Sequence, residues 1–275
     1  RWPVARCLGA RFSRYAGLLR LPSPCAALLR SRRFRAVFSR DQLTADDLSQ
    51  QLRRPVQFVG NPFMDPVLTP APALPAAPSR IGLLPGSRRP ELEHNLVLLL
   101  RLIEQLPANP VCELDLALVS SLNDAALASI ASREGWQLNG AQLLRDDALP
   151  ITVHRDAFQS VLQHSDLVIG MAGTAIEQAV GLAKPALQIP GQGPQFTSAF
   201  AEAQRRLLGP TVFCAPGDSG SQANLQASAE LVTALLERYR NDPHFQQQLR
   251  TEAVRRLGTH GGGLRMAAAI SALLP

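Results

Sequence analysis

The sequence predicts an α/β fold built on a parallel sheet with helices on both faces, and three observations predict it. Apolar runs of strand length alternate with segments of helical periodicity from residue 81 onward. In the block Ser165 to Phe196, the apolar run Leu167 to Ile169 enters the turn Gly170-Met171-Ala172-Gly173 and then a helix beginning Thr174-Ala175-Ile176-Glu177. A second apolar run, Ala186 to Ile189, follows only after Gly181 and Pro185, completing a right-handed strand–helix–strand unit. The expected fold is therefore Rossmann-like, with its ligand crevice at the C-terminal ends of the strands.

Taken in order, the elements are these. Mixed basic segments lead to Val56 to Val59, a short strand ending at Gly60-Asn61-Pro62. Pro66 to Pro78 then holds five prolines with alanines between them, which predicts a stiff extended linker. The expected organisation is a first unit at 1–65, a linker at 66–79 and the α/β domain at 80–275. Ile81 to Leu84 is a buried strand that exits through Pro85-Gly86-Ser87-Arg88. Glu91 to Leu106 follows Pro90 and repeats Leu92, Leu96, Leu99, Ile103 and Leu106 on one helical face. Leu114 to Val119 is the next strand, and the helix after it is capped by Asn123 and closed by Gly135. Ile151 to Val153 leads to a short helix, for which Asp156 is the expected cap with Gln159 three residues on. A helix begun by Thr197 carries Glu202 and Gln204. Two helices end the chain, Pro243 to Leu257 behind Asp242 and Leu264 to Leu274 behind Gly261-Gly262-Gly263.

A hydrophobic content of 46% over 275 residues is enough for a buried core and excludes a wholly disordered chain. No run of 18 apolar residues and no signal segment is present, so the expected location is cytoplasmic. Residues 1–54 carry 12 arginines against Asp41, Asp46 and Asp47, a local +9 within a net +6. Such a basic segment suits peripheral contact with an anionic membrane, although arginine bias alone also accounts for it, since Lys184 is the only lysine. Nucleic acid is not an expected partner, because no aromatic interleaving accompanies the arginines. Cys7, Cys25, Cys112 and Cys214 are widely spaced and read as reduced packing residues. The histidines, His94, His154, His164, His244 and His260, lack ligand spacing, so no metal is assigned.

Three segments carry the candidate chemistry. Gly86 lets the backbone approach a ligand, and Arg88 supplies a donor fork suited to a diphosphate; an ordinary strand-to-helix loop is the alternative. Gly173 and Thr174 open a helix whose N-terminus suits phosphate, and Glu177 can accept from a ribose diol. Thr174 and Glu177 also have capping-box spacing, which would explain both without a ligand. Pro190 to Gln195 ends a strand with amides, Gln192 and Gln195, that can read sugar hydroxyls; a structural turn is the alternative. His154-Arg155-Asp156 has the letters of a kinase catalytic loop but none of its accompanying motifs.

These motifs, with Phe38-Ser39-Arg40-Asp41, Val59 to Asp65, Leu84 to Arg88, Ser165 to Phe196 and Phe200 to Gln204, resemble lipid-A-disaccharide synthase and, more closely, the cyanobacterial and plastid proteins related to it. The resemblance runs from about Phe34 to the end. It implies a GT-B glycosyltransferase of two Rossmann-like domains that uses a UDP-sugar and needs neither metal nor cofactor. By that resemblance the chain is the donor-binding C-terminal half plus a remnant of the acceptor-side domain, starting at Arg1 partway through something larger. Gly86, Ser87 and Arg88 would lie by the diphosphate with Gly173 and Thr174 opposite, and Glu177 would hold the ribose. Gln195 would face the sugar, and the backbone at His154 and Arg155 would border the uracil. The general base belongs to the acceptor half. Asn61 replaces the histidine of the synthase proper, which leaves a lipid acceptor expected but lipid A itself open. A UDP-sugar epimerase and a non-catalytic nucleotide-sugar or partner-binding module are the other readings.

Overall fold

A computed structural model of the chain describes residues 23–107, 112–171, 173–189 and 205–274. Its centre is an eight-stranded sheet in the order β3-β4-β5-β2-β1-β6-β7-β8. The strands are β1 (Arg80–Leu84), β2 (Glu113–Leu118), β3 (Gln137–Asn139), β4 (Gln142–Leu144), β5 (Ile151–Arg155), β6 (Leu167–Gly170), β7 (Ala186–Gln188) and β8 (Val212–Phe213). From β5 through to β8 every pairing is parallel, with Ile81 in register with both Leu114 and Leu167. Only the β3–β4 hairpin and its contact with β5 are antiparallel.

The central strands are buried on both faces, which is why β1 reads as an unbroken apolar run rather than an alternating one. On one face, Ile81, Leu83, Leu114, Leu116 and Ile169 pack against α4 (Glu91–Ile103), α5 (Asp124–Arg133) and α8 (Gln222–Asn241). On the other, Leu84, Ala117, Val168 and Ala186 meet α6 (Phe158–His164), α7 (Thr174–Gly181) and Leu257 of α9 (Pro243–Leu257). Gly82 lies on this second face, where an added Cβ would collide with Ser165 Oγ, so α6 and the turn after it sit tight against β1.

The expected helix caps divide. Asn123 accepts from Ala126 N (2.9 Å) and Asp242 from Phe245 N (3.0 Å). Asp156 does not cap α6. It takes φ 52°, and its carboxylate accepts from Ser120 N (3.2 Å) across the sheet, leaving Ala157 at the N-cap. Gln159 reaches instead to the carbonyls of Pro66 and Thr69 (both 2.6 Å).

The N-terminal segment forms α1 (Ser23–Arg30) and α2 (Gln42–Leu52), joined through the small core of Ala26, Ala45, Leu52 and Val56. The expected strand at Val56 to Val59 reduces to a single bridge, Phe38 with Gln57. The start of the expected linker is helical: α3 (Met64–Leu68) contains Pro66 and buries Met64 and Val67 in the second core. The stretch after it is pinned to α6, since Gln163 donates to Val67 O (2.6 Å) and accepts from Ala71 N (3.0 Å). Asp65 accepts from the N–H groups of Gly261, Gly262 and Gly263 (2.7, 3.1 and 2.8 Å), which caps α10 (Gly262–Ser271). Burial raises the Asp65 carboxyl's pKa, but those three N–H bonds prevail and hold it below its ordinary value.

No disulfide joins Cys25, Cys112 and Cys214 to one another, and burial pushes the Cys112 thiol up to about 11. Among the described residues no helix is long and apolar enough to cross a membrane.

Candidate functional site

From β1 the chain steps outward to β2 and β5, then returns to lay β6, β7 and β8 on the opposite flank. That reversal leaves a crevice at the C-terminal ends of β1 and β6, where connections depart in opposite directions. A cleft of about 330 Å³ occupies it. One wall is the exit of β1 and the start of α4, with Gly86, Ser87, Arg88, Glu91 and Asn95. The other is the exit of β6 and the first turn of α7, with Gly170, Gly173, Thr174 and Ile176. The structure thus brings together five of the predicted site residues, Gly86, Ser87, Arg88, Gly173 and Thr174.

Gly86 and Gly173 adopt φ values of 100° and 88°, where a side chain is strained. Space is not the reason. An added Cβ would find only Asn95 Nδ2, at 4.0 Å, beside Gly86, and nothing within 4 Å at Gly173. The two turns therefore leave space at the cleft mouth where a side chain would otherwise stand. Gly173 is the N-cap of α7, with no side-chain cap hydrogen bond, and Thr174 is the first helical residue. The capping-box reading of Thr174 and Glu177 is thereby overturned: Thr174 stands one position too late to cap, and Glu177 is engaged elsewhere. Its carboxylate accepts from Arg40 (2.9 Å), which reaches across from the turn before α2. Glu177 lies one residue beyond the cleft lining.

The Arg88 side chain makes no hydrogen bond or ion pair among the described residues, whereas its neighbour Arg89 pairs with Glu93 (2.5 Å). An unpaired guanidinium beside a helix N-terminus attracts an anion from two sides.

His154 and Arg155 do not line the cleft. Arg155 donates to the Asp124 carboxylate and the Leu122 carbonyl. His154 bonds Asp115, which also receives Arg80, so the three form a polar chain on the sheet face that α6 covers. Burial raises the Asp115 pKa, but the bonds from His154 and Arg80 outweigh burial and hold it below its ordinary value. Gln192 and Gln195, with Glu202 and Gln204, lie outside the described residues.

Three polar residues at or beside the cleft, Arg40, Glu91 and Asn95, were not predicted as site residues. Arg40 stands in the Phe38 to Asp41 motif but carries no predicted role, because its contact with Glu177 spans the fold. Asn95 does give a local signal: it occupies the buried stripe of α4 between Leu92 and Leu96, where an apolar residue is expected.

Fold and cleft together define a Rossmann-like α/β unit with a crevice at the reversal of its parallel sheet. In sequence the chain is similar to two lipid-A-disaccharide synthases. It is 28% identical over 236 residues to that of Geobacter sulfurreducens and 29% identical over 242 residues to that of Trichlorobacter lovleyi. These alignments cover 80% and 82% of this chain but only 58% and 59% of the relatives, so the chain spans well under two thirds of their length. Solved structures of the same fold include the UDP-GlcNAc 2-epimerase of Neisseria meningitidis bound to UDP-GlcNAc (TM-score 0.50, 14% identity, 86% of this chain and 60% of that one). The glycotransferase of kitacinnamycin is another (TM-score 0.50, 18% identity, 83% and 57%). No family model matches the chain.

Proposed function

We propose that the chain is the donor-binding part of a GT-B glycosyltransferase that moves a sugar from a UDP-sugar to a lipid-linked acceptor. The observation that carries this reading is the cleft at the strand reversal. There the unpaired Arg88 and the N-terminus of α7 face each other across the Gly86 and Gly173 turns. In this reading Arg88, Ser87, Gly86, Gly173 and Thr174 hold the diphosphate, Glu177 the ribose, and the main chain at His154 and Arg155 borders the uracil. The amides Gln192 and Gln195 would face the sugar. Their assignment rests on the chemistry of amides at a strand end and, for Gln195, on the sequence resemblance.

The chemistry is inverting displacement. The acceptor oxygen bonds the anomeric carbon, the bond from that carbon to the diphosphate oxygen breaks, the acceptor's proton passes to a base, and UDP leaves. This chain's share is to bind the donor and to take up the charge growing on the leaving diphosphate, through Arg88 and the α7 dipole. No metal enters the proposal, and no base is assigned to this chain. The lipid acceptor is argued from the relatives' name and from the arginine-rich N-terminal segment, of which Arg32, Arg33 and Arg35 are exposed.

Calorimetric titration with UDP and UDP-N-acetylglucosamine, chelator present, tests the donor site. Saturable binding that Arg88→Ala weakens is expected, and a folded chain that binds neither ligand would refute the proposal. In a larger protein containing this chain, UDP release that depends strictly on added acceptor supports transfer, whereas acceptor-independent turnover of the donor would indicate an epimerase.

A further inference from the structure

The α4 wall of the cleft carries a polar atom with nothing to bond. Asn95 is fully buried (0% exposed), and its Nδ2 donates to the Pro85 carbonyl (2.9 Å). Its Oδ1, also buried, has no hydrogen-bond partner among the described residues. The Pro85 bond fixes which way the amide faces, because turning it over would set two carbonyl oxygens against each other. Folded proteins retain few buried acceptors in this condition, and one that lines a cleft calls for a donor from outside. One turn earlier on the same helix face, Glu91 lines the same cleft, and its carboxylate too is unpaired among the described residues.

Two acceptors on one wall do not match a bare anion. Arg88, Ser87 and the start of α7 suit phosphate oxygens, but an ionised diphosphate brings no hydrogen to offer Asn95 or Glu91. A sugar brings several. We infer that Asn95 and Glu91 form a hydroxyl-accepting subsite for the sugar carried on the diphosphate. The inference rests on the donor-site reading above, which sets the diphosphate between Arg88 and the start of α7 with the ribose at Glu177; Asn95 and Glu91 then add to Gln192 and Gln195 as acceptors for the transferred sugar.

The test is calorimetric titration of the whole chain with UDP and with UDP-hexoses (N-acetylglucosamine, glucose and galactose), for wild type, Asn95→Leu and Glu91→Ala. The readout is the ratio of the dissociation constants for UDP and for the best-bound UDP-hexose. The ratio is used because removing the Glu91 charge also changes the attraction for phosphate. Each variant is expected to shift the ratio about tenfold against the UDP-hexose, the scale of one lost hydrogen bond that leaves its partner unpaired. An unchanged ratio in a folded variant overturns the subsite while leaving the donor site intact. Equal weakening of both ligands by Asn95→Leu places the hydroxyl on the nucleoside and overturns the sugar assignment. If wild type does not bind UDP, the donor-site reading falls and the subsite falls with it. Should Asn95→Leu fail to fold, Glu91→Ala at the partly exposed helix start carries the test alone.

Discussion

Arg80 opens β1 and Arg88 follows the turn at its other end, yet one is buried against Asp115 and the other makes no bond among the described residues. Around Arg80 the protein completes its own electrostatics: Asp115 takes Arg80 and His154, and the Pro75 carbonyl takes the rest of the guanidinium. Around Arg88 it leaves the work undone, with an open guanidinium, a glycine turn on each side, a helix N-terminus and the orphan carbonyl of Asn95. A charge neutralised within the fold contributes to stability or specificity. A charge held in a cleft without a partner remains available to a ligand, which is the role proposed for Arg88.

The largest effect that this contrast predicts is on stability. Asp115→Leu strands a buried guanidinium and should cost about 3–5 kcal/mol in urea unfolding. Arg88→Ala should change stability by no more than about 0.5 kcal/mol, as for an unengaged surface group. In ligand binding the order inverts. Arg88→Ala should weaken UDP by about tenfold or more, since a charged hydrogen bond is worth ~1.5–3 kcal/mol. If Arg88→Ala unfolds the chain, or leaves UDP affinity unchanged, the contrast between a finished and an unfinished charge fails.

Acid offers a second cut between the regions. Asp115 and Asp65 both have carboxyl pKa values held below the ordinary carboxylate value in the folded chain. Their contribution to stability is therefore complete above the unfolded value, about 4, and is lost as pH falls through the lower folded values. Unfolding free energy measured from pH 6 to pH 2.5 should drop below about pH 4, and Asp65→Asn should flatten part of that limb. Arg88→Ala should leave the limb as it is.

How much of this could be read from the sequence depends on whether the cause of each feature is local. β1, β2, β6 and β7 were legible because doubly buried parallel strands are written as apolar runs, and α4, α5 and α9 because stripe and cap lie within the segment itself. The β3–β4 hairpin and β8 were not: Gln137–Asn139 is mostly exposed, and Val212–Phe213 is a strand only because β7 pairs with it. The helix α8 was written plainly, with Leu225, Ala229, Val232 and Leu236 at helical spacing, and went unread. At the cleft, the glycine turns and Arg88 are local features and were found. Asp156 was misassigned because its partner, Ser120, sits on another loop. The same blindness hid Arg40, whose importance is visible only once α7 is folded beside it.

Arg40 also gives the smallest and most discriminating prediction. Arg40 occupies one oxygen of Glu177, Oε1, so in the proposed reading a ribose diol that engages both oxygens competes with the ion pair. Both side chains are partly exposed (38% and 17%), so the pair is weak, and its removal should be felt only slightly. Arg40→Ala is expected to tighten UDP about two- to fivefold, and Glu177→Gln to weaken it. In the double variant the Arg40 effect should vanish, because with no carboxylate at position 177 there is nothing left to release. If Arg40→Ala weakens UDP instead, the guanidinium belongs with Arg88 among the groups that hold the ligand, and the boundary between finished and unfinished charge runs on its far side.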